Sequence, residues 1–310
     1  MPDFLSRRSF LKKSSLLAVG ASAVGGTLRA ASVTNEPLFK ISLAEWSLNG
    51  PLFAGRINHL EFPRIAADLG IDGVEYVNQF FMDRAEDRAY LREMKKRADG
   101  EGVRSVLIMC DREGRLGDPD EAARIEAVEN HYKWVEAAKS LGCHSIRVNG
   151  YSEGSYEEQV RLVADGFSRL VEFADDHDIN VMIENHGGFS SNANWVVDVM
   201  ETADHPRIGT LPDFGNFRID DDETYDSYRG TEQMMAFAKG VSVKPMGYDA
   251  DGTRHELDLH RMMRIVLDAG YRGFCGIEYG PDDAEIDGIK ELRDALVAVR
   301  DDLSPAYLSS

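Results

Sequence analysis

The chain has 310 residues, 43% of them hydrophobic, enough to bury a large core as two ordinary domains or as one α/β barrel. Its 35 Lys and Arg stand against 54 Asp and Glu, and the resulting net charge of -19 repels nucleic-acid phosphates and anionic membranes, so neither is the expected partner. Cys110, Cys143 and Cys275 have no CxxC spacing and each lies in or beside an apolar run, so they read as buried thiols.

In chain order, Ser6-Arg7-Arg8-Ser9-Phe10-Leu11-Lys12 is followed by a Gly- and Ala-rich apolar stretch from Leu16 to Leu28 and small residues at Ala30, Ala31 and Ser32. This resembles a twin-arginine export signal, and the stretch is too short and too glycine-rich to span a bilayer stably. The resemblance implies a signal peptide over residues 1–31, removed to leave a periplasmic domain of residues 32–310 with no stable membrane span. Eight apolar runs that read as strands then follow: Phe39 to Ser47, Gly73 to Val77, Ser105 to Cys110, Ser145 to Val148, Asn180 to Glu184, Ile208 to Asp213, Val241 to Val243 and Gly273 to Tyr279. They recur about every 33 residues, the length of one strand, one helix and two loops. Eight such steps close a (β/α)8 barrel, a TIM barrel of the α/β class.

The segments between the runs have helical spacing: Leu60 to Leu69, Glu86 to Glu101, Pro119 to Leu141, Val160 to His177, Val196 to Ala203 and Leu257 to Ala269. For the third, Asp118 is the expected cap, Pro119 the first helical residue and Gly142 the left-handed stop. His131, Tyr132 and Trp134 fall inside it and read as packing or surface. No Pro-, Gly- or Ser-rich linker interrupts residues 38 to 300, which predicts one domain. The acidic stretch within Ile219 to Gly230 reads equally as a lid or as a solvated turn.

In such a barrel the carboxyl ends of the strands form the active face. Glu184, Asp213 and Glu278 end the fifth, sixth and eighth runs and are expected to converge there, where three carboxylates need a cation between them. Hard oxygen ligands suit manganese or magnesium, with zinc or cobalt if a histidine such as His186 joins. Lys244 ends the seventh run and is placed to polarise a carbonyl or hydroxyl. Glu75, Arg147, Asn149, His186 and Asn216 are candidate substrate hydrogen-bonding groups, and Trp46 a candidate stacking face for a sugar.

Five segments together resemble the xylose isomerase-like sugar isomerase and epimerase superfamily over nearly all of residues 39 to 300. They are Leu43-Ala44-Glu45-Trp46-Ser47-Leu48, Val74-Glu75-Tyr76-Val77-Asn78-Gln79-Phe80-Phe81, Glu184-Asn185-His186-Gly187-Gly188, Asp213-Phe214-Gly215-Asn216-Phe217 and Gly276-Ile277-Glu278-Tyr279. The match looks nearest to the exported branch of sugar phosphate isomerases and epimerases. The resemblance implies a metal set of Glu184, Asp213 and Glu278, a divalent ion (Mn2+ first, then Mg2+, Co2+ or Zn2+), and a sugar or glycoside as substrate. Two positions depart from it. Ser242 stands where the family often has a metal-binding histidine, and Asn216 where many relatives have a substrate-binding one.

The expected reaction is proton transfer next to a sugar carbonyl, with Glu184 and Glu278 as ligands and acid-base pair. Two alternatives are a lyase that cleaves 3-keto-glycosides by elimination and a non-catalytic carbohydrate-binding barrel. The superfamily's nucleases, which act at abasic DNA sites, are disfavoured by the charge. The sugar, the carbon attacked and association into a homo-oligomer are left open by the sequence.

Overall fold

The computed structural model describes residues 36–280 and 284–308; the expected signal over residues 1–31 and the cleavage point near Ser32 lie outside them. Eight parallel strands form the predicted barrel: β1 (Lys40–Ala44), β2 (Gly73–Val77), β3 (Arg104–Met109), β4 (Ser145–Val148), β5 (Asn180–Glu184), β6 (Ile208–Leu211), β7 (Val241–Val243) and, last in the chain, β10 (Phe274–Ile277). Hydrogen bonding runs in the order β6-β5-β4-β3-β2-β1-β10-β7. The seam between β6 and β7 is closed by parallel bridges at Thr210 with Ala238 and Asp213 with Ser242. There Ser242 N donates to Pro212 O at 2.9 Å and Phe214 N to Ser242 O at 3.1 Å. Two residues of interest, Asp213 and Ser242, are thereby locked side by side by the backbone.

Strand periodicity explains what faces inward. Alternate residues point to opposite faces, and one parity, including Ile146, Val148, Val181 and Ile183, packs in the large cluster with the helices. The other parity begins apolar inside the barrel, with Leu107, Met109, Met182 and Leu211 in a smaller cluster. On three strands the same parity turns polar two residues further along, Met109 leading to Asp111, Met182 to Glu184 and Leu211 to Asp213, and on two more Ser242 leads to Lys244 and Gly276 to Glu278. Below the polar carboxyl-terminal rim the interior is therefore partly apolar, at Leu107, Met109, Met182 and Leu211, and partly polar, at Ser42, Glu75 and Ser242.

The helices cover the strands. They are α1 (Asn49–Phe53), α2 (Phe62–Asp68), α3 (Arg88–Gly100), α4 (Glu121–Leu141), α5 (Tyr156–Asp175), α6 (Ala193–Ala203), α7 (Ser227–Met234), α8 (Leu259–Asp268) and α9 (Glu285–Leu308). α4 begins two residues later than expected. Asp118 forms a local turn instead, accepting from Asp120 N at 3.0 Å, and Asp120 caps the helix by accepting from Ala123 N at 2.9 Å. Gly142 ends α4 at φ 81°, the left-handed stop predicted for it. α5 opens with a capping box in which Ser155 and Glu158 satisfy each other's amides, a device typically worth about 1 kcal/mol per cap. On its inner face Val163, Phe167, Leu170, Val171 and Ala174 are buried at helical spacing, each large apolar side chain contributing roughly 1.5–3 kcal/mol.

All three cysteines are buried free thiols, and Trp134 and His131 are buried packing residues. The acidic stretch forms a tight turn, with Ile219 N donating to Glu223 O at 2.9 Å. Helices α1, α7 and α9 fall outside the six expected helical segments, and an antiparallel hairpin of β8 (Met246–Tyr248) and β9 (Arg254–Glu256), inserted after β7, has no counterpart among the eight expected strands. No described helix is long and apolar enough to cross a membrane.

Candidate active site at the carboxyl rim of the barrel

Glu184, Asp213 and Glu278 converge: one carboxylate oxygen of each lies within 4.8 Å of the others, and all three residues are buried. Glu184 is the last residue of β5, Asp213 follows β6 and Glu278 follows β10, so three separate strands aim them at one point. Asp213 is held hard. Its amide donates to Asn185 Oδ1 at 2.7 Å while Asn185 Nδ2 donates to its carbonyl at 2.8 Å. Its Oδ1 accepts from Gly215 N at 2.8 Å and its Oδ2 from Ser242 Oγ at 2.6 Å.

Two cations reach this acidic group. Lys244 Nζ lies 2.7 Å from Glu278 Oε1 and 3.2 Å from Asp213 Oδ2, and donates to Asn216 Oδ1 at 2.9 Å. Asn216 in turn donates from Nδ2 to Glu184 Oε1 at 3.1 Å. On the other side, Arg147 Nε stands 2.8 Å from Glu184 Oε2, an ion-pair distance without hydrogen-bond alignment, since neither atom has an aligned partner. Arg147 Nη1 also donates to Asp111 Oδ1 at 2.8 Å. Asp111 further accepts from Asn149 Nδ2 at 2.9 Å and Gln79 Nε2 at 3.0 Å.

These contacts divide the carboxyl groups electrostatically. Burial pushes Glu184 up to about 7, against the pull of Arg147, and pushes Asp213 up to about 6, against the pull of Lys244. Burial also acts on Glu278, but the ammonium beside it wins and holds that carboxyl below its ordinary value. Lys244 is raised: burial opposes its charge, and Asp213 and Glu278 outweigh burial. The imidazole of His186 is lowered, first by burial and then by Arg147 and Lys244.

A cavity of about 770 Å³ reaches this group at Glu278 and Lys244, while Glu184 and Asp213 lie buried outside its lining. Lys244 and Glu278 form its buried end, His186 and Asn216 line it, and Tyr248 and Arg254 of the β8–β9 hairpin extend it outward. Among the described residues the Arg254 guanidinium has no hydrogen-bond or ion-pair partner.

Several expected site residues sit elsewhere. His186 lines the cavity but is not part of the converging ligand group; its Nδ1 is taken by the Tyr151 hydroxyl at 2.7 Å. Glu75 is 1% exposed and lies beneath the cavity rather than on its wall. Ser42 Oγ donates to its Oε1 at 2.5 Å, and its carboxylate fills the space a side chain at position 276 would need, so glycine is required there. Arg147 and Asn149 act on Asp111 and Glu184 rather than lining the cavity. Trp46 packs with Phe53 and Phe80 in an aromatic group outside the cavity lining, its ring centroid 6.0 Å and 6.3 Å from theirs. Asp111, Arg254 and Tyr248 were not anticipated. Asp111 was legible by the rule that exposed the others, being the polar residue just past the apolar run of β3.

The match to known proteins agrees with this architecture. Residues 63–299 fit the family model described as xylose isomerase-like TIM barrel. The chain is 23% identical over 237 residues to the L-ribulose-5-phosphate 3-epimerase UlaE of Escherichia coli K12, covering 73% of this chain and 84% of that protein. Among solved structures, the 3-keto-D-glucoside 4-epimerase YcjR of E. coli superposes with a TM-score of 0.61 at 17% identity, over 78% of this chain and 94% of that one. A xylose isomerase-like TIM barrel protein from Mycobacterium smegmatis in complex with magnesium gives 0.63 at 16% identity, over 84% and 96%. The chain belongs to the xylose isomerase-like TIM barrel family.

Proposed function

We propose that the protein is a sugar isomerase, of the epimerase type, that moves a proton at the carbon beside a keto sugar's carbonyl. The observation that carries this reading is geometric: Glu184, Asp213 and Glu278 converge within 4.8 Å of one another, with Lys244 Nζ 2.7 Å from Glu278 Oε1 and Arg147 Nε 2.8 Å from Glu184 Oε2. Their environments differ in direction, burial raising Glu184 and the ammonium group lowering Glu278 against burial, which suits one as acid and the other as base. Glu278, which borders the cavity, is the base that removes the proton, and Glu184, buried beside it, is the acid that returns one. Asn216 and Lys244, both on the cavity wall, donate to the oxygens on either side of the reacting carbon. The epimerase activities named for UlaE and YcjR support the same chemistry.

Glu184, Asp213 and Glu278 also fit a divalent cation, because they present three hard oxygen donors at one point and Glu184 Oε2 has no aligned hydrogen-bond donor. Such an ion, manganese in the first instance, would supply Lewis-acid stabilisation of the negative charge that develops on the carbonyl oxygen. The magnesium complex of the M. smegmatis protein supports a divalent ion in a barrel of this kind.

The test is to incubate the metal-supplemented protein with free and 5-phosphorylated ketoses and follow epimer formation by NMR. Glu278→Gln is expected to lose roughly a hundred- to ten-thousandfold in rate, the usual contribution of a positioned base. A variant as fast as the parent would remove Glu278 from the mechanism.

A further inference from the structure

We infer that Lys244 is a built-in competitor for the divalent cation: its ammonium group occupies the cation position between Asp213 and Glu278, and a metal ion binds there by displacing it. The inference rests on the metal-binding part of the proposed function, but not on which sugar is turned over.

An ammonium group has three N–H bonds, and Lys244 has three acceptors, Glu278 Oε1 at 2.7 Å, Asn216 Oδ1 at 2.9 Å and Asp213 Oδ2 at 3.2 Å. Two of those oxygens belong to the three carboxylates able to hold a metal. Asp213 has no idle oxygen, since Gly215 N donates to Oδ1 and Ser242 joins Lys244 on Oδ2. Ser242 therefore does more than lack a metal-binding ring. Its hydroxyl reinforces the arrangement in which Lys244, rather than an external ion, meets Asp213.

Charge favours an exchange: Lys244 and Arg147 are the two cations set against Glu184, Asp213, Glu278 and Asp111, and a dication arriving beside Lys244 would repel its ammonium group. Withdrawal is sterically open, because Lys244 already borders the 770 Å³ cavity shared with Tyr248 and Arg254. A displaced ammonium would swing into the space a substrate enters, where it can donate to substrate oxygens. One residue would then couple metal occupancy to substrate binding.

The experiment is isothermal titration of the metal-stripped protein with MnCl2 alone, comparing the parent with Lys244→Gln and Lys244→Arg and using thermal melting to confirm folding. Gln removes the competing charge, and the expected result is Mn2+ affinity at least about tenfold tighter, since two charges this close interact strongly at the effective dielectric of a protein. Arg keeps the charge and is expected to bind no more tightly than the parent. Equal or weaker binding by the Gln variant overturns the inference. A second measurement needs no variant: amine-directed labelling of Lys244 in the parent chain, read by mass spectrometry, is expected to rise severalfold on adding Mn2+. Labelling that stays constant while Mn2+ binds would show that the ion does not displace the lysine. Neither readout involves a sugar, so a failed epimerase assay leaves both outcomes interpretable.

Discussion

Replacing Glu75 by Gln should change the pH dependence of stability in a way that only its buried carboxyl explains. Glu75 is 1% exposed and has one good donor, Ser42; its Oε2 has none. Burial raises it from 4.5 to about 8, with Glu278 and Glu184 adding to the effect and Ser42 and Arg147 opposing it. The folded state therefore holds a proton that the unfolded chain releases near its ordinary value, and folding is favoured most below that value. The contribution is lost progressively as pH rises from about 4.5 to about 8. At about 1.4 kcal/mol per pH unit this interval corresponds to roughly 2–5 kcal/mol once structural relaxation is allowed for. Gln keeps an acceptor for Ser42 and does not ionise. Urea unfolding of both proteins at several values between pH 5 and pH 9 isolates the effect of Glu75 together with its coupling to Glu184 and Glu278, because groups that do not interact with it cancel in the difference. The parent should lose those few kcal/mol relative to Glu75→Gln across this range. Parallel stability curves would refute the assignment of a neutral carboxyl to the floor of the site.

Two further outcomes follow from the ion pairs and the cavity. Arg147→Met leaves Asp111 and Glu184 buried without their shared cation, and should cost roughly 3–5 kcal/mol in unfolding free energy; a loss under 1 kcal/mol would mean the pair is solvated. Arg254→Ala removes a guanidinium with no described partner, so stability should stay within about 0.5 kcal/mol. If the outer cavity receives an anionic group, the same change should raise KM about tenfold for a phosphorylated ketose and leave KM for its free counterpart unchanged. Equal effects on the two substrates would argue against that placement.

The barrel is legible because its signal is repeated: eight short apolar runs recur at a near-constant interval and six helical faces lie between them, while α7 and α9 fall outside those six. The carboxylate trio is legible because each member stands at the polar carboxyl end of an apolar run, as Met182-Ile183 leads to Glu184 and Leu211-Pro212 to Asp213. What escaped had weak local signals or depended on side-chain reach. The β8–β9 hairpin has three-residue strands without apolar alternation, although Asp251-Gly252 marks its turn and Gly252 adopts φ 84°. α4 starts at Glu121 rather than Pro119 because Asp118 and Asp120 are both competent caps, and Asp118 bonds within its own turn. Glu75 looked like a rim residue by residue type, but it sits at the same level as Ser42 and Gly276, one layer below the trio. That Lys244 reaches two carboxylates on neighbouring strands follows from the closure of the seam and cannot be seen in the spacing of residues.

Solvent exchange tests the central claim most directly. Metal-supplemented protein is incubated in D2O with a ketose that it epimerises, and deuterium at the carbon beside the carbonyl is followed by NMR and mass spectrometry. Proton transfer through Glu278 and Glu184 predicts one deuterium per turnover at that carbon of the epimer formed, and loss of the labelled epimer in both Glu278→Gln and Glu184→Gln. Epimerisation without deuterium, or incorporation that survives both substitutions, would contradict the account.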